Sequence, residues 1–224
     1  MRFANLSAVG VCLLSVLALS SPAQATSLSF DDAIAGATSY SFDNDGDGLA
    51  DAIFFTTDPL GFKTIGPGPN MSYINEPGLE GTAMLSPDLR VDFPVGCIGD
   101  SGLSFGFALN TFSSIPNGMT FTVYDAGGTQ LAQVYELAIH TFPDGVTRSS
   151  HPEAMVNTGA FPGIASYATF DFEYTPGLTG RYIIDNFTGQ FATTEVIPEP
   201  VTLIGVMMAI GGVGAYIRKR RLAV

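Results

Sequence analysis

The chain has 224 residues, with 21 acidic side chains against 9 basic ones and a net charge of −12. So acidic a polymer repels nucleic acid and anionic lipid surfaces, which excludes nucleic-acid binding as its task. With 26 glycines, 14 prolines, no tryptophan and only two cysteines, it is turn-rich and has no internal disulfide framework.

In chain order, the first element is an export signal. Arg2 precedes an apolar run from Val9 to Leu19, and Ala23-Gln24-Ala25 sets small residues at the two positions that signal peptidase reads. This pattern predicts a secretory signal over residues 1–25, cleaved between Ala25 and Thr26. An uncleaved anchor is the competing reading, but the apolar run is short for a membrane span. Cys12 leaves with the signal and no cysteine follows the run closely, which argues against a lipid anchor. Cys97 is then the mature chain's single thiol, read as a small buried hydrophobe, with an intermolecular bridge as the alternative.

Residues 26–197 have the length of one domain with a real core. They hold 20 of the 21 acids and only four bases, Lys63, Arg90, Arg148 and Arg181. Near their start stands "DNDGDGLAD". Asp43, Asp45 and Asp47 alternate, Gly48 follows, and Asp51 closes the stretch. Calcium takes six to eight oxygens, and a tight loop with oxygens at alternate positions supplies them. Asp43, Asp45 and Asp47 are candidate side-chain ligands, Leu49 a carbonyl ligand, and Asp51 a direct or water-mediated one. The twelfth position is Phe54 rather than a bidentate glutamate, so the motif departs from an EF-hand. It resembles the D-x-D-x-D-G-x-x-D loops of dockerins, thrombospondin type 3 repeats and integrin-like propellers. The flanks "TSYSF" and "AIFFTT" are strand-like. The bland alternative is an acidic glycine turn in a solvated hairpin.

The rest of the body alternates with period two. "LRVDF" puts Leu89, Val91 and Phe93 on one face, and "LSFGFAL" does the same for Leu103, Phe105, Phe107 and Leu109. "MTFTVYD" aligns Met119, Phe121 and Val123; "ATFDFEY" aligns Phe170, Phe172 and Tyr174. Such runs are strands with one buried face. Turn signals separate them, at Pro116-Asn117-Gly118, Asp125-Ala126-Gly127-Gly128, Pro143-Asp144-Gly145 and Pro176-Gly177. "TQLAQVYELAIH" reads as a strand despite a weak helical period, and a last strand is expected over 190–196. The predicted class is all-β, a two-sheet sandwich of jelly-roll type. Its expected core includes Phe105, Phe107, Phe121, Val123, Phe170 and Phe172.

No catalytic constellation emerges. His140 and His151 flank a turn and read as solvated loop residues. Asp171 and Glu173 share a strand face and, alternating with core phenylalanines, read as its solvent side, whereas glycoside hydrolysis needs a cleft and two carboxyls across a sugar bond. No serine lies in a G-x-S-x-G context. The triplets at Asn70 and Asn186 match a glycosylation acceptor too common by chance to carry weight.

The end of the chain is Pro198-Glu199-Pro200, an apolar run over 201–217, and the bases Arg218, Lys219, Arg220 and Arg221. A helix of that length covers about 25 Å, a modest span. The bases stay cytoplasmic, which leaves the body outside, in agreement with the export signal. The ordered triple of features in residues 198–224 resembles the PEP-CTERM sorting signal of Gram-negative, exopolysaccharide-producing bacteria. Together with it, a "V-x-D-x-G-G" hairpin and Ile184-Asp185-Asn186 near the end of the body resemble PEP-CTERM ectodomains. The resemblance implies that an exosortase recognises the tail, cuts near the motif, and releases or transfers the ectodomain. A plain C-terminal anchor is the alternative. The expected protein is exported, transiently held at the inner membrane, and then placed at the cell surface or in the matrix. It is expected to be non-enzymatic and associated with exopolysaccharide or biofilm. The competing readings are a carbohydrate-binding jelly-roll module, which lacks tryptophan but has eight tyrosines, and a secreted hydrolase.

Overall fold

A computed structural model of the protein describes residues 25–192, apart from 65–70, 76, 82–87, 112–117, 142–143, 148–150 and 174–179. Ala23, the Pro198-Glu199-Pro200 step, the 201–217 run and the bases at 218–221 lie outside the described residues. So do Tyr174 and the turns at 116–117 and 176–177. Among the described residues no helix is long and apolar enough to cross a membrane.

Eleven strands are described: β1 (Ala25–Leu28), β2 (Ser39–Phe42), β3 (Ala52–Thr56), β4 (Leu79–Gly81), β5 (Leu89–Ile98), β6 (Ser104–Thr111), β7 (Gly118–Tyr124), β8 (Gln130–Leu137), β9 (Glu153–Asn157), β10 (Ile164–Phe172) and β11 (Gly180–Phe191). All pairings are antiparallel. One layer runs β2-β3-β5-β10-β7-β8. The other runs β4-β11-β6-β9, with β1 beside β4 along the same edge of β11. The expected all-β sandwich is what forms.

The layers join at both margins. The far end of β5 keeps its pairing with β10, through Cys97 with Ala165 and Ile98 with Ile164, and on its other side pairs Cys97 and Ile98 with Phe191 and Gln190 of β11. Between the two halves of β5 the pairing with β10 shifts register. Pro94 has no N–H to donate, and Gly96 takes φ +88°, a conformation that favours glycine. Across the molecule, Ile139 and Glu153 exchange backbone hydrogen bonds just beyond β8 and at the start of β9. The sandwich is therefore barrel-like.

The core lies between the layers where alternation placed it. Phe105, Phe107, Phe121, Val123, Phe170 and Phe172 are all buried. Phe170 of β10 meets Phe121 of β7 at 4.8 Å between ring centroids and Phe105 of the opposite layer at 5.0 Å. Phe187 of β11 meets Phe54 of β3 edge-on at 5.1 Å. Cys97 is fully buried, and burial pushes its thiol up to about 12, against a backbone N–H of Gln190 that acts to lower it. It behaves as a small hydrophobe. The turn after β7 forms as its residues demand: Asp125 Oδ1 accepts from Thr129 N at 2.7 Å, and Gly128 has φ +78°.

One strand differs from expectation. Of the terminal strand expected over 190–196, residues 193–196 lie outside the described residues; the described part is the end of a longer β11, which reaches back to Gly180 and stops at Phe191. A bulge explains why this was hidden. The β11–β6 register shifts between Asp185 and Thr188, and Asn186 sits at φ +54°, a region asparagine tolerates better than most residues. Tyr182 and Ile184 face inward before it, and Phe187 and Phe191 after it, so the parity of the strand flips.

Candidate functional site

Two regions concentrate side chains that could act: the acidic β2–β3 hairpin and the outer face of the six-strand layer.

The hairpin carries the D-x-D-x-D-G motif. The Asp51 N–H donates to Phe42 O, and the next pair, Phe42 with Ala52, starts the ladder. Gly46 and Gly48 adopt φ +71° and +85° with open space around them, so the chain winds in a way that a Cβ would strain. Backbone N–H groups orient the carboxylates. Gly46 N and Gly48 N donate to the two oxygens of Asp43, at 2.7 and 2.9 Å. Asp47 N donates to Asp45, and Asn44 N donates to Asp51. Asp43, Asp45 and Asp51 each present an oxygen within 4.8 Å of the others. Two oxygens bound to one calcium at about 2.3–2.6 Å can be no more than about 5 Å apart, so these three fit one ion. Asp47 is not among the converging three; its Oδ1 accepts from Leu49 N at 2.7 Å. Leu49 is exposed on the same loop. Burial first, and then the charges of Asp45, Asp43 and Asp47, raise the Asp51 pKa, with the Asn44 N–H opposing. That is the repulsion a cation would relieve.

A cleft on the neighbouring surface, lined in part by Ser29, Asp31, Asp32, Tyr40 and Asp43, contains neither histidine nor cysteine. The histidines are elsewhere. The bridge at Ile139 and Glu153 brings His140 and His151 into electrostatic reach, and burial, then His140, lowers the His151 pKa. His140 is exposed and His151 half-buried, so the expectation of two solvated histidines holds for one.

The two outer faces of the sandwich differ. That of the β11-β6-β9 layer is covered by residues 71–75. Ile74 packs on Ala108 and Ile183, and Glu153 accepts from Ser72 N and Tyr73 N. The segment lies so close that a Cβ on Gly106 would sit 2.0 Å from Tyr73 O. Asp185 is sealed beneath it: one oxygen accepts from Asn75 N at 2.7 Å, and the other has no hydrogen-bond partner. Burial pushes Asp185 from 3.8 up to about 6, against the N–H groups of Asn186 and Asn75. The native state therefore holds a proton that the unfolded chain releases, so this group's contribution to stability falls as pH rises from about 4 to 6 and stays low above. Asp185→Asn is expected to raise the urea midpoint at pH 7 and to change it little near pH 4. A midpoint that drops at pH 7 would mean that the charged form is the stabilising one.

The outer face of the β2-β3-β5-β10-β7-β8 layer is open among the described residues. Arg90, Gln133, Asp171 and Glu173 are exposed on it, as Asp171 and Glu173 were expected to be. Toward one end, Tyr124 and Tyr167 stack at 4.8 Å and 16°. The guanidinium of Arg90 lies 4.1 Å from the centre of the Tyr167 ring and pairs with Asp92 at 2.5 Å. Toward the other end Tyr135, 51% exposed, leans over Gly118. A Cβ on Gly118 would come within 2.5 Å of the Tyr135 oxygen, so only glycine permits this seat. Glu173 fixes it by accepting from both Tyr135 Oη, at 3.0 Å, and Gly118 N, at 2.8 Å. Burial against the sheet, then this hydrogen bond and the Glu173 charge, raise the phenol's pKa and keep it neutral. Between the two ends, Gln133 Nε2 donates to Thr122 Oγ1 at 3.0 Å. Sequence alternation shows that these residues face outward; it does not show that four strands gather them.

No family model and no curated protein matches the chain. Solved structures are similar in fold only. The K1 cleaved adhesin domain of Lys-gingipain from Porphyromonas gingivalis is 16% identical, with a TM-score of 0.38 over 76% of this chain and 99% of that one. The K2 cleaved adhesin domain of Lys-gingipain is 10% identical, with a TM-score of 0.37 over 75% and 98%. The family 11 carbohydrate-binding module of the cellulosomal cellulase Lic26A-Cel5E of Clostridium thermocellum is 14% identical, with a TM-score of 0.31 over 79% and 99%.

Proposed function

We propose that this is an exported, non-enzymatic protein of the cell surface or extracellular matrix that associates with exopolysaccharide. In this reading signal peptidase removes residues 1–25, and an exosortase acts at Pro198-Glu199-Pro200 once the 201–217 helix and the bases at 218–221 have fixed the orientation. Calcium, held by the loop from Asp43 to Asp51, ties the β2–β3 hairpin. The observation that carries the molecular role is the contrast between one outer face sealed by residues 71–75 and another left open among the described residues, with fixed aromatic and polar groups. The strand orders β4-β11-β6-β9 and β5-β10-β7-β8 support a jelly-roll winding, with the β2–β3 hairpin added at an edge. A hydrolase is the weaker reading. Asp171 and Glu173 stand on an open sheet rather than across a cleft, and Glu173 already holds Tyr135.

Export is compatible with the fold. Cleavage after Ala25 removes one residue of β1, the partner of Gln190, and leaves Thr26, Ser27 and buried Leu28 paired with β11. The intact mass of the protein from its native host is expected to correspond to a chain from Thr26 to near Pro198. Glu199→Gln is expected to accumulate the unprocessed form. A full-length tail stably embedded in the membrane of a host that has an exosortase would overturn the sorting part.

A further inference from the structure

We propose that the open face binds a neutral polysaccharide chain lying along β7, with Tyr135 as a fixed stacking plate at one end and the Tyr124–Tyr167 pair at the other. This deepens the exopolysaccharide reading above by naming the face and the class of glycan. From Gly118 to Tyr124 the strand runs about 20 Å, room for a short oligosaccharide. Sugar rings offer an apolar C–H face and a rim of hydroxyls. A pinned aromatic ring meets the first without a large ordering cost, because Tyr135 is already held by Glu173 and seated on Gly118. Hydroxyl donors find acceptors in Asp171 beside β7 and in exposed Gln133, whose amide nitrogen is held by buried Thr122 between the two tyrosine sites.

Charge selects the occupant. The face presents carboxylates, its one guanidinium among the described residues is paired with Asp92 and laid on Tyr167, and the body as a whole is strongly acidic. An anionic polymer is repelled by this field, whereas a neutral polyol is not. An apolar peptide partner would leave the carboxylates beside Tyr135 desolvated and unmatched.

Affinity electrophoresis of the mature protein from its native host, in gels containing galactomannan, mixed-linkage glucan, xylan or alginate, tests this. At least one neutral polymer is expected to retard the protein, and alginate is not. Tyr135→Ala and Gly118→Ala are each expected to weaken retardation roughly 5- to 10-fold, the loss of one aromatic plate. Tyr135→Phe, which keeps the ring, is expected to retain most of it, and Met155→Ala on the opposite layer all of it. Circular dichroism and melting of each variant confirm an intact fold. Retardation by alginate alone, by none of the polymers, or undiminished in a folded Tyr135→Ala protein would overturn the proposal. Correct processing with no glycan binding would sink this site and leave the sorting reading standing; binding with an uncleaved tail would do the reverse.

Discussion

Phe170→Ala is expected to remove about 3–5 kcal/mol of unfolding free energy, the range for truncating a fully buried phenylalanine. A domain of this kind holds only about 5–15 kcal/mol in all, so the variant sits near the edge of folding. The reason is position. Phe170 belongs to the six-strand layer, yet its ring touches Phe121 beside it, Phe105 on the opposite layer, and more distantly Phe54 and Phe187. Removing it opens a cavity between two hydrogen-bonded layers that cannot collapse without breaking their registers. Phe55 on the outer face of β3 is 39% exposed, and Phe55→Ala is expected to cost far less. The edge-on Phe105–Phe121 pair, with centroids 4.9 Å apart, should show a coupling of about 0.5–1.5 kcal/mol in a double-mutant cycle. Urea midpoints with unchanged slope measure all three. A Phe170→Ala cost below about 1 kcal/mol would mean that the two layers do not close on this ring.

These same rings show what the sequence could reveal. Period-two alternation needs only neighbours along one strand, so Phe105, Phe107, Phe121 and Phe170 were assigned to the core correctly. It fails where the parity changes. At Asn186 the bulge moves the inward set from Ile184 to Phe187, three residues on, and a single strand reads as two. It is silent about what one strand brings to another. Glu173 reaches Gly118 across 55 residues and Tyr135 across 38, and Asp185 reaches Asn75 across 110. Glu173 was legible as a solvent-facing acid, but its hold on Tyr135 was not, because that depends on Gly118 lacking a side chain. Glu153 and Asp185 were missed for a related reason. Both are acids on an outer face, and the 71–75 segment buries them there. The acidic hairpin was legible because its chemistry is local: glycines and aspartates within nine residues both bend the loop and line it.

Calcium is expected to stabilise the protein by about 2.7 kcal/mol at a hundred times its dissociation constant, which for a domain of this length raises the melting midpoint by roughly 5–10 °C. The argument rests on the oxygens left over after the backbone is satisfied. Gly46, Gly48, Asp47 and Asn44 donate N–H bonds that aim Asp43, Asp45 and Asp51, and these still converge within 4.8 Å. Without an ion their charges oppose one another, and that opposition raises Asp51 alongside its burial. An ion replaces this repulsion with attraction and fixes the loop between Phe42 and Ala52, whose strands carry Phe54 and Tyr40 into the core. Asp43→Asn and Asp51→Asn are expected to lose most of the shift. Asp47→Asn tests whether that carboxylate, which caps Leu49 N, turns inward to the ion as the motif predicts; a retained shift would restrict the ligands to the other three. Asp171→Asn, on the open face, should leave the shift intact. Melting the mature protein with calcium, and again with excess chelator, decides between a metal loop and a solvated turn. Superimposable curves would leave only the turn.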